Sequence, residues 1–493
     1  TALTINTTGE YNTAIGTAAL YSNISASNNT AVGYQALYDN TTGGQNTAVG
    51  YLALANNTTA ANNSALGNGA LQLNTTGTSN TATGRQALYA NTTGSYNTAV
   101  GQNALYYNTT APNNVAVGYN ALFNNTTASN NTAVGYTALF TNTTGQYNTA
   151  LGFGALYQNQ VHSGSTAVGY NALRNSIENY NTAVGYQALL TTTTGYQNAA
   201  LGNNALQFNT TGTVNTAIGG LTLQNNTTGS NNVAVGYAAL QDNTTGISNT
   251  ALGRDALANN TTASNNTAVG YAALQDNTTG TSLAALGYQA LANNTTGNDN
   301  TAVGYQALLT NTTGFNNVAL GYQTLQNNTA NNNTAVGYIS LQSNTTGYSN
   351  TALGIYSLTT NTTGVENVAI GTFPLRYNTT GNYNIAVGKQ ALTTNTTGNS
   401  NTALGHNALF SNTTANSNTA VGHQALYNQT NPSQPNTAVG YQAGLAITTG
   451  IYNNLFGSYA GSAITTGSRN VSVGHGGLIS LTVGNFNTSV GHD

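Results

Sequence analysis

Residues 300–316 read NTAVGYQALLTNTTGFN, and variants of this 17-residue unit fill the whole chain. The glycine that ends NTAVG, here Gly304, is called the anchor glycine below. It recurs 29 times, and 25 of the 28 intervals between successive copies have the same 17-residue spacing. The exceptions are a 16-residue spacing at Gly169–Gly185 and at Gly321–Gly337, and an 18-residue spacing at Gly422–Gly440. Such self-similarity predicts a repeat architecture without a separate globular domain.

The composition excludes several classes of protein. Charged residues are 3% of the chain, against about 25% in typical soluble proteins. The formal net charge of −3 offers no electrostatic attraction to nucleic acid or anionic lipid. The chain has no Cys, and Asn and Thr interrupt every apolar stretch well below the roughly 18 residues of a spanning helix. We therefore expect no disulfide scaffold, no nucleic-acid partner and no membrane insertion.

The length and chemistry of the repeat indicate the fold. Seventeen residues are too few for the two-helix repeats. The segments TAVG and YQAL are typical of short strands, and NTTG is typical of turns. This pattern predicts an all-β fold, a parallel β-solenoid (β-roll) of about 29 stacked 17-residue coils spaced about 4.8 Å apart. We divide it into regular coils over 1–440 and divergent C-terminal coils over 441–493, which we interpret as a transition toward a further C-terminal element.

Strand alternation places Val and Thr of TAVG on one face and Ala on the other. Because Val and Leu are the larger residues, we expect them to fill the coil interior. In the coils of irregular length the loop should absorb the difference, so that the valines still point inward. The valines in question are Val184, Val336 and Val439.

The Ala of TAVG would then form an outward column. A column of Ala beside frequent Tyr favours close contact with another chain, and we expect a homotrimeric fibre with these residues at the contacts. Drift in duplicated DNA is the alternative explanation for the invariant Ala. Representative members of the column are Ala116, Ala133 and Ala150.

Several coils resemble the head repeats of trimeric autotransporter adhesins. The matching segments are NVAVG at 114–118 and 232–236, NVAIG at 367–371, NIAVG at 384–388 and NVSVG at 470–474. The NTAVGYQAL segments are also similar to repeats of phage tail fibres and of bacterial fibres that end in an endosialidase-type self-cleaving chaperone domain. The resemblance implies a left-handed homotrimeric β-roll on a cell or virion surface. The NTTG segment is extra relative to the adhesin unit.

The sequence offers no catalytic constellation. Paired carboxylate chemistry needs two groups within about 10 Å, whereas the nine carboxylates lie far apart along the chain: Glu10, Asp39, Glu178, Asp242, Asp255, Asp276, Asp299, Glu366 and Asp493. We therefore expect no enzyme and no cofactor. Four histidines follow an anchor glycine (His406, His423, His475 and His492), and a polar replacement for Tyr is the preferred explanation over a metal site.

Two surface roles remain open for the NTT segments. The sequons at Asn6, Asn40, Asn57 and Asn91 are candidate glycan acceptors, although Asn, Thr and Gly form turns without any glycan. Regular Thr rows are also a candidate ice-binding face. The predicted function is a structural extracellular fibre shaft or adhesin-like filament that partners with itself and with a cell-surface or glycan receptor. The alternatives are an ice- or carbohydrate-binding module and a phage tail-fibre shaft.

Overall fold

The computed structural model describes residues 1–431 and 435–492, and the chain divides into two compact units, Thr1–Ile247 and Ser248–Asp493. Each coil contains one three-residue strand, centred on the Ala of NTAVG in most coils, followed by tight turns. The described residues form no helix. The prediction of an all-β parallel solenoid with 17-residue coils is confirmed.

In the first unit every strand pairs in parallel with the next, as Thr30 with Thr47 and Val32 with Val49. The strands are β1 (Thr13–Ile15), β2 (Thr30–Val32), β3 (Thr47–Val49), β4 (Ser64–Leu66), β5 (Thr81–Thr83), β6 (Thr98–Val100), β7 (Val115–Val117), β8 (Thr132–Val134), β9 (Thr149–Leu151), β10 (Thr166–Val168), β11 (Thr182–Val184), β12 (Ala199–Leu201), β13 (Thr216–Ile218) and β14 (Val233–Val235).

The second unit repeats the same parallel ladder, as Thr402 with Thr419. Its strands are β15 (Thr250–Leu252), β16 (Thr267–Val269), β17 (Ala284–Leu286), β18 (Thr301–Val303), β19 (Val318–Leu320), β20 (Thr334–Val336), β21 (Thr351–Leu353), β22 (Val368–Ile370), β23 (Ile385–Val387), β24 (Thr402–Leu404), β25 (Thr419–Val421), β26 (Thr437–Val439), β27 (Asn454–Phe456), β28 (Val471–Val473) and β29 (Thr488–Val490).

The coils of irregular length keep the strand register. Thr166 pairs with Thr182 across a 16-residue spacing, and Thr419 pairs with Thr437 across the 18-residue spacing. The loop therefore absorbs the difference, as predicted. A slip of one residue would have turned every strand side chain to the opposite face.

The predicted face assignment of the strand is wrong. Ala116, Ala133 and Ala150 have no exposed surface and point into the coil, whereas the flanking Thr and aliphatic residues point outward. Val184, Val336 and Val439 are half-buried on that outward face. A short coil that already encloses one Leu and two Asn side chains leaves room for only a methyl group at the strand centre. The Ala column consequently fills the interior and gives no reason to expect a second chain.

The YQAL segment is a turn and not a strand. Gln35 and Leu37 both have left-handed backbone conformations, with φ of 53° and 51°, so Ala36 and Leu37 are both buried. A left-handed conformation costs roughly 1–2 kcal/mol for a residue other than glycine. Burial of the Leu side chain and the hydrogen bond from Leu37 N to Ala53 O (3.0 Å) offset that cost.

The anchor position requires glycine for two reasons, its backbone conformation and the lack of space for a Cβ atom. Gly304 has a φ of +133°, and a Cβ built on it would overlap the carbonyl oxygen of Gly321 in the next coil. Successive anchor glycines therefore stack backbone on backbone. Only glycine allows that approach.

Two columns of buried Asn complete the interior. The turn ladder is formed by the Asn seven residues after the anchor glycine, as in the bond from Asn57 Nδ2 to Asn40 Oδ1 (2.9 Å). The strand ladder is formed by the Asn four residues before the anchor glycine, as in the bond from Asn63 N to Asn46 Oδ1 (3.0 Å). Both ladders give most buried amides hydrogen-bond partners one coil away or in the same turn, although Asn29 Nδ2, Asn142 Oδ1 and Asn311 Oδ1 have no partner within the described residues.

The divergent C-terminal coils repack the same interior. Gly444 and Gly461 replace the core Leu, and Ile447 and Ile464 replace the turn-ladder Asn, while Leu455 replaces the strand Ala. Ile447, Leu455 and Ile464 are fully buried. A Cβ on Gly461 would crowd Ile464 and Leu455. The three changes therefore compensate one another in volume.

Candidate functional site: the outward columns of the coil

The strand face presents two parallel columns, one of mostly Thr and one of aliphatic residues. The hydroxyls of Thr30, Thr47 and Thr98 make no hydrogen bond within the described residues. The aliphatic column is exposed to an unusual degree, with Leu66 at 52% and Leu201 at 49%. Side chains two apart on a strand stand about 6.7 Å apart, and neighbouring strands lie about 4.8 Å apart. The face is thus a regular array of hydroxyls and methyl groups.

The Thr side chains of the NTT segments differ from those of the strand face in their hydrogen bonding. The first Thr of the segment donates its hydroxyl to a carbonyl one coil away, as Thr41 Oγ1 does to Thr58 O (3.0 Å). Thr75 Oγ1 does the same to Thr92 O (3.0 Å). These hydroxyls reinforce the stacking of coils. The hydroxyls of the strand face, in contrast, are available to a partner.

The candidate glycan acceptors lie in the turn ladder. Asn40, Asn57 and Asn91 are fully buried, and each amide nitrogen donates both to the preceding ladder Asn and to a backbone carbonyl three residues on. Asn6 is half-buried, and its amide donates to Gly9 O (2.9 Å). A glycan on the three buried nitrogens would require modification before the coil closes and would break the ladder. Glycosylation stays a prediction.

Aromatic side chains stack in columns along the surface. In the first unit the rings of Tyr119, Tyr136, Phe153, Tyr170 and Tyr186 follow one another at 5.1–5.3 Å. A second column in that unit, at the fifth residue after the anchor glycine, contains Tyr89, Tyr106, Phe123, Phe140 and Tyr157. The second unit has a column of Tyr271, Tyr288, Tyr305, Tyr322 and Tyr338. The ring faces inside these columns are covered by neighbouring rings.

The histidines extend the same kind of column. The ring centroids of His406 and His423 are 5.1 Å apart, and those of His475 and His492 are 4.9 Å apart. Desolvation lowers the pKa of His406 below its usual value, and the positive charge of protonated His423 and of Lys389 lowers it further. The described residues contain no group of three or more His, Asp or Glu side chains placed to hold a metal ion.

Within the described residues, no two carboxylate groups are found in contact with each other. Arg254 Nε lies 3.1 Å from Asp255 Oδ2, on adjacent residues at the surface. Asp242 and Asp276 each accept a hydrogen bond from an Asn one coil earlier, Asn225 and Asn259. Asp493 lies outside the described residues. No helix in the described ranges has the length and apolar character needed to cross a bilayer.

One recess was not anticipated from the sequence. A pocket of about 280 Å³ opens beside Tyr348 and is lined by Thr329, Ala330, Asn331, Asn332, Thr346 and Tyr348. It lies in the coil with the shortened, 16-residue spacing between Gly321 and Gly337. The sequence feature that accompanies it is the shortened spacing followed by an aromatic residue in the next loop, but the same combination occurs at Gly169–Gly185 with Tyr196, so the sequence alone does not locate the pocket.

Comparison with protein-family models yields no match, and comparison with curated proteins also yields none. The architecture that the described residues do establish is an all-β parallel solenoid built of 17-residue tandem repeats.

Proposed function

We propose that this protein is a structural extracellular shaft, an adhesin-like or tail-fibre filament that holds other parts at a distance and presents the same side chains at every coil. It acts through its surface and carries out no reaction. The observation that carries the proposal is the unbroken register of the coils within each unit, where ladders of backbone and Asn hydrogen bonds follow the stacking direction. Its expected setting is a cell or virion surface.

The arrangement of polar groups supports a mechanical role. Each coil is joined to the next by backbone bonds along the strand, the turn and the loop, as in Gly33 N to Ile15 O (2.7 Å) and Thr41 N to Thr58 O (2.8 Å). Such bonds must be broken together when neighbouring coils separate. Interactions between nearest neighbours sum along a solenoid, which suits a spacer that resists bending and pulling.

Self-association belongs to this proposal, but through the strand face. The aliphatic column leaves an apolar strip exposed in each unit, interrupted at Thr83 in the first, and large exposed apolar strips mark contact surfaces. A homotrimer in which three strand faces meet would cover it. The outward Thr hydroxyls of each coil would then bond across the contact.

The test compares two triple variants of the full chain. Val134, Leu151 and Val168 are replaced by Asp on the strand face, while Thr110, Thr127 and Thr144 are replaced by Asp on the loop edge as the matched control. We expect the parent chain and the control to have the mass of an oligomer by light scattering and to form straight rods in electron micrographs. The strand-face variant should be a single chain with unchanged β circular dichroism.

A parent chain that is already monomeric would refute self-association, and compact particles in the micrographs would refute the shaft.

The second candidate function, binding to ice, is favoured by one observation: strand-face Thr hydroxyls such as those of Thr30 and Thr47 have no partner within the described residues. It predicts a monomeric parent chain with thermal hysteresis, which the strand-face variant abolishes and the loop-edge variant keeps. An oligomer without hysteresis would reject it.

A further inference from the structure

We propose that the pocket beside Tyr348 is a binding site for a neutral saccharide. The inference does not rest on the shaft role, because the pocket arises from one local irregularity in the repeat. In a regular coil the strand-ladder Asn comes six residues after the turn-ladder Asn, as Asn317 does after Asn311. Asn333 comes only five residues after Asn328, and Asn333 Nδ2 donates directly to Asn328 Oδ1 (3.1 Å).

The shortened loop retracts and leaves a recess against the following coil. The glycine of NTTG is absent here, and Thr329, Ala330, Asn331 and Asn332 form one wall. The opposite wall comes from Thr346 and Tyr348 of the next coil. Strand pairing is undisturbed, since Val318 still pairs with Thr334. The recess is therefore confined to the loop edge of these two coils and leaves the strand ladder unchanged.

Tyr348 supplies an apolar surface that the aromatic columns cannot. Its side chain is 47% exposed, and its ring contacts no other aromatic ring among the described residues. By contrast, Tyr322 is stacked against Tyr338 at 5.3 Å on one side and against Tyr305 at 5.1 Å on the other. A half-exposed ring with a hydroxyl at its tip suits the C–H face of a pyranose, which is apolar on its faces and polar at its rim.

The polar atoms of the pocket are arranged to meet hydroxyl groups. Asn331 Oδ1 accepts a bond from Phe315 N (2.9 Å), and Asn332 Oδ1 accepts one from Asn316 Nδ2 (3.3 Å). These bonds orient both amides, whose Nδ2 groups have no acceptor within the described residues. The Thr346 hydroxyl is exposed and can donate or accept. Fixed donors beside a hydroxyl match the alternating donors and acceptors of a sugar.

The residues that line the pocket also indicate whether the site favours a neutral or a charged ligand. None of the six lining residues has a carboxylate, imidazole, amine or guanidinium group. An acidic sugar would lose hydration of its carboxylate without gaining a cation. The site therefore favours neutral hexose or N-acetylhexosamine units over uronic acids.

The experiment titrates the full chain with defined probes: neutral hexasaccharides of glucose, mannose, galactose and N-acetylglucosamine, and a hexasaccharide of galacturonic acid. Saturation-transfer difference NMR and calorimetry report binding. We expect at least one neutral probe to bind with a dissociation constant in the range of about 0.1–1 mM, as suits a shallow site with one ring. Tyr348→Ala should weaken it at least tenfold. Tyr383→Ala removes an exposed ring from a regular coil and should leave the affinity unchanged.

Thr346→Val is the second variant, because the Thr346 hydroxyl has no hydrogen-bond partner among the described residues, so its loss removes no bond that holds the coil. It should weaken the neutral probe about threefold or more, even if Tyr348→Ala proves unstable by circular dichroism. The proposal is overturned if no neutral probe binds at 10 mM, if Tyr348→Ala and Tyr383→Ala bind alike, or if galacturonate binds more tightly than every neutral probe.

Discussion

Asn361 Nδ2 donates a 2.7 Å hydrogen bond to Asn344 Oδ1 in the coil before it, and donates a second, of 2.9 Å, to Gly364 O in its own turn. Asn344 is bonded in the same way to Asn328 and to Gly347, each at 2.7 Å. Both N–H groups of each buried amide are thereby used. One bond closes the turn and the other joins neighbouring coils.

Replacing Asn361 by Ala should therefore destabilise both the turn and the stack. It removes three bonds of the turn ladder, because Asn361 Oδ1 also accepts from Asn378 Nδ2 (2.8 Å). Leaving buried partners unsatisfied costs about 1–3 kcal/mol. Hydrogen exchange measured by mass spectrometry should show faster exchange in the coils on either side. Asn293→Ala, at an exposed Asn in the same unit, is the control, and equal exchange in the two variants would contradict the prediction.

A larger residue at the strand centre should not be tolerated. Ala133 is fully buried while its neighbour Thr132 is half-buried on the outward face. Ala133→Leu should lower the free energy of unfolding by about 1–3 kcal/mol or prevent folding, because extra methylene groups have no space inside the coil. Thr132→Val should change it little. Thermal unfolding followed by circular dichroism compares the two, and equal midpoints would show that the interior is wider than the structure indicates.

Thr137 carries backbone strain that a substitution can relieve. It is β-branched and has a φ of 51°, at the position where the two preceding coils place Asn103 and Asn120. Asn tolerates the left-handed conformation better than a β-branched residue. Thr137→Asn should raise local stability by about 1 kcal/mol and extend the pair in which Asn103 Nδ2 donates to Asn120 Oδ1 (3.1 Å). Slower hydrogen exchange over residues 119–155 would support it, and faster exchange would count against it.

The stability of the His406 coil should depend on pH. The pKa of His406 is lower in the folded chain than in the unfolded chain, so folding favours the neutral ring. Its contribution is complete above the usual pKa of histidine, near 6.5, and is lost as the pH falls from there through the lower pKa of the folded state. The midpoint of thermal unfolding should therefore decrease as the pH is lowered from 8 to 5. His406→Tyr should flatten that dependence, and an unchanged slope would exclude His406 as its origin.

The sequence alone predicts the period, the parallel stacking and the register, because a fixed spacing of glycine and Asn leaves few alternatives. It does not predict which face of the strand is buried. Alternation leaves two choices, and the larger size of Val favoured the wrong one. The choice depends on the width of the interior, which is set by Leu37 and by ladder residues such as Asn40 and Asn46.

The left-handed backbone conformation of the turns could not be predicted from the sequence either. Gln35 and Leu37 are ordinary strand or helix residues by propensity, and nothing in their identity indicates a φ near 50°. The conformation is imposed by closing so short a coil. The pocket at Tyr348 is different in kind, because the 16-residue spacing that creates it can be read from the sequence, whereas its depth and free donors depend on how the loop retracts.

The column of anchor glycines has a consequence for how such a chain can change over time. At Gly304 any other residue would strike the backbone of the following coil, so a point substitution there disrupts the stack. Insertion or loss of one whole 17-residue unit within a run of regular coils meets no such obstacle, since every interior surface finds an equivalent partner. The length of the protein is therefore freer to vary by recombination between its own repeats than its glycines are to vary by mutation.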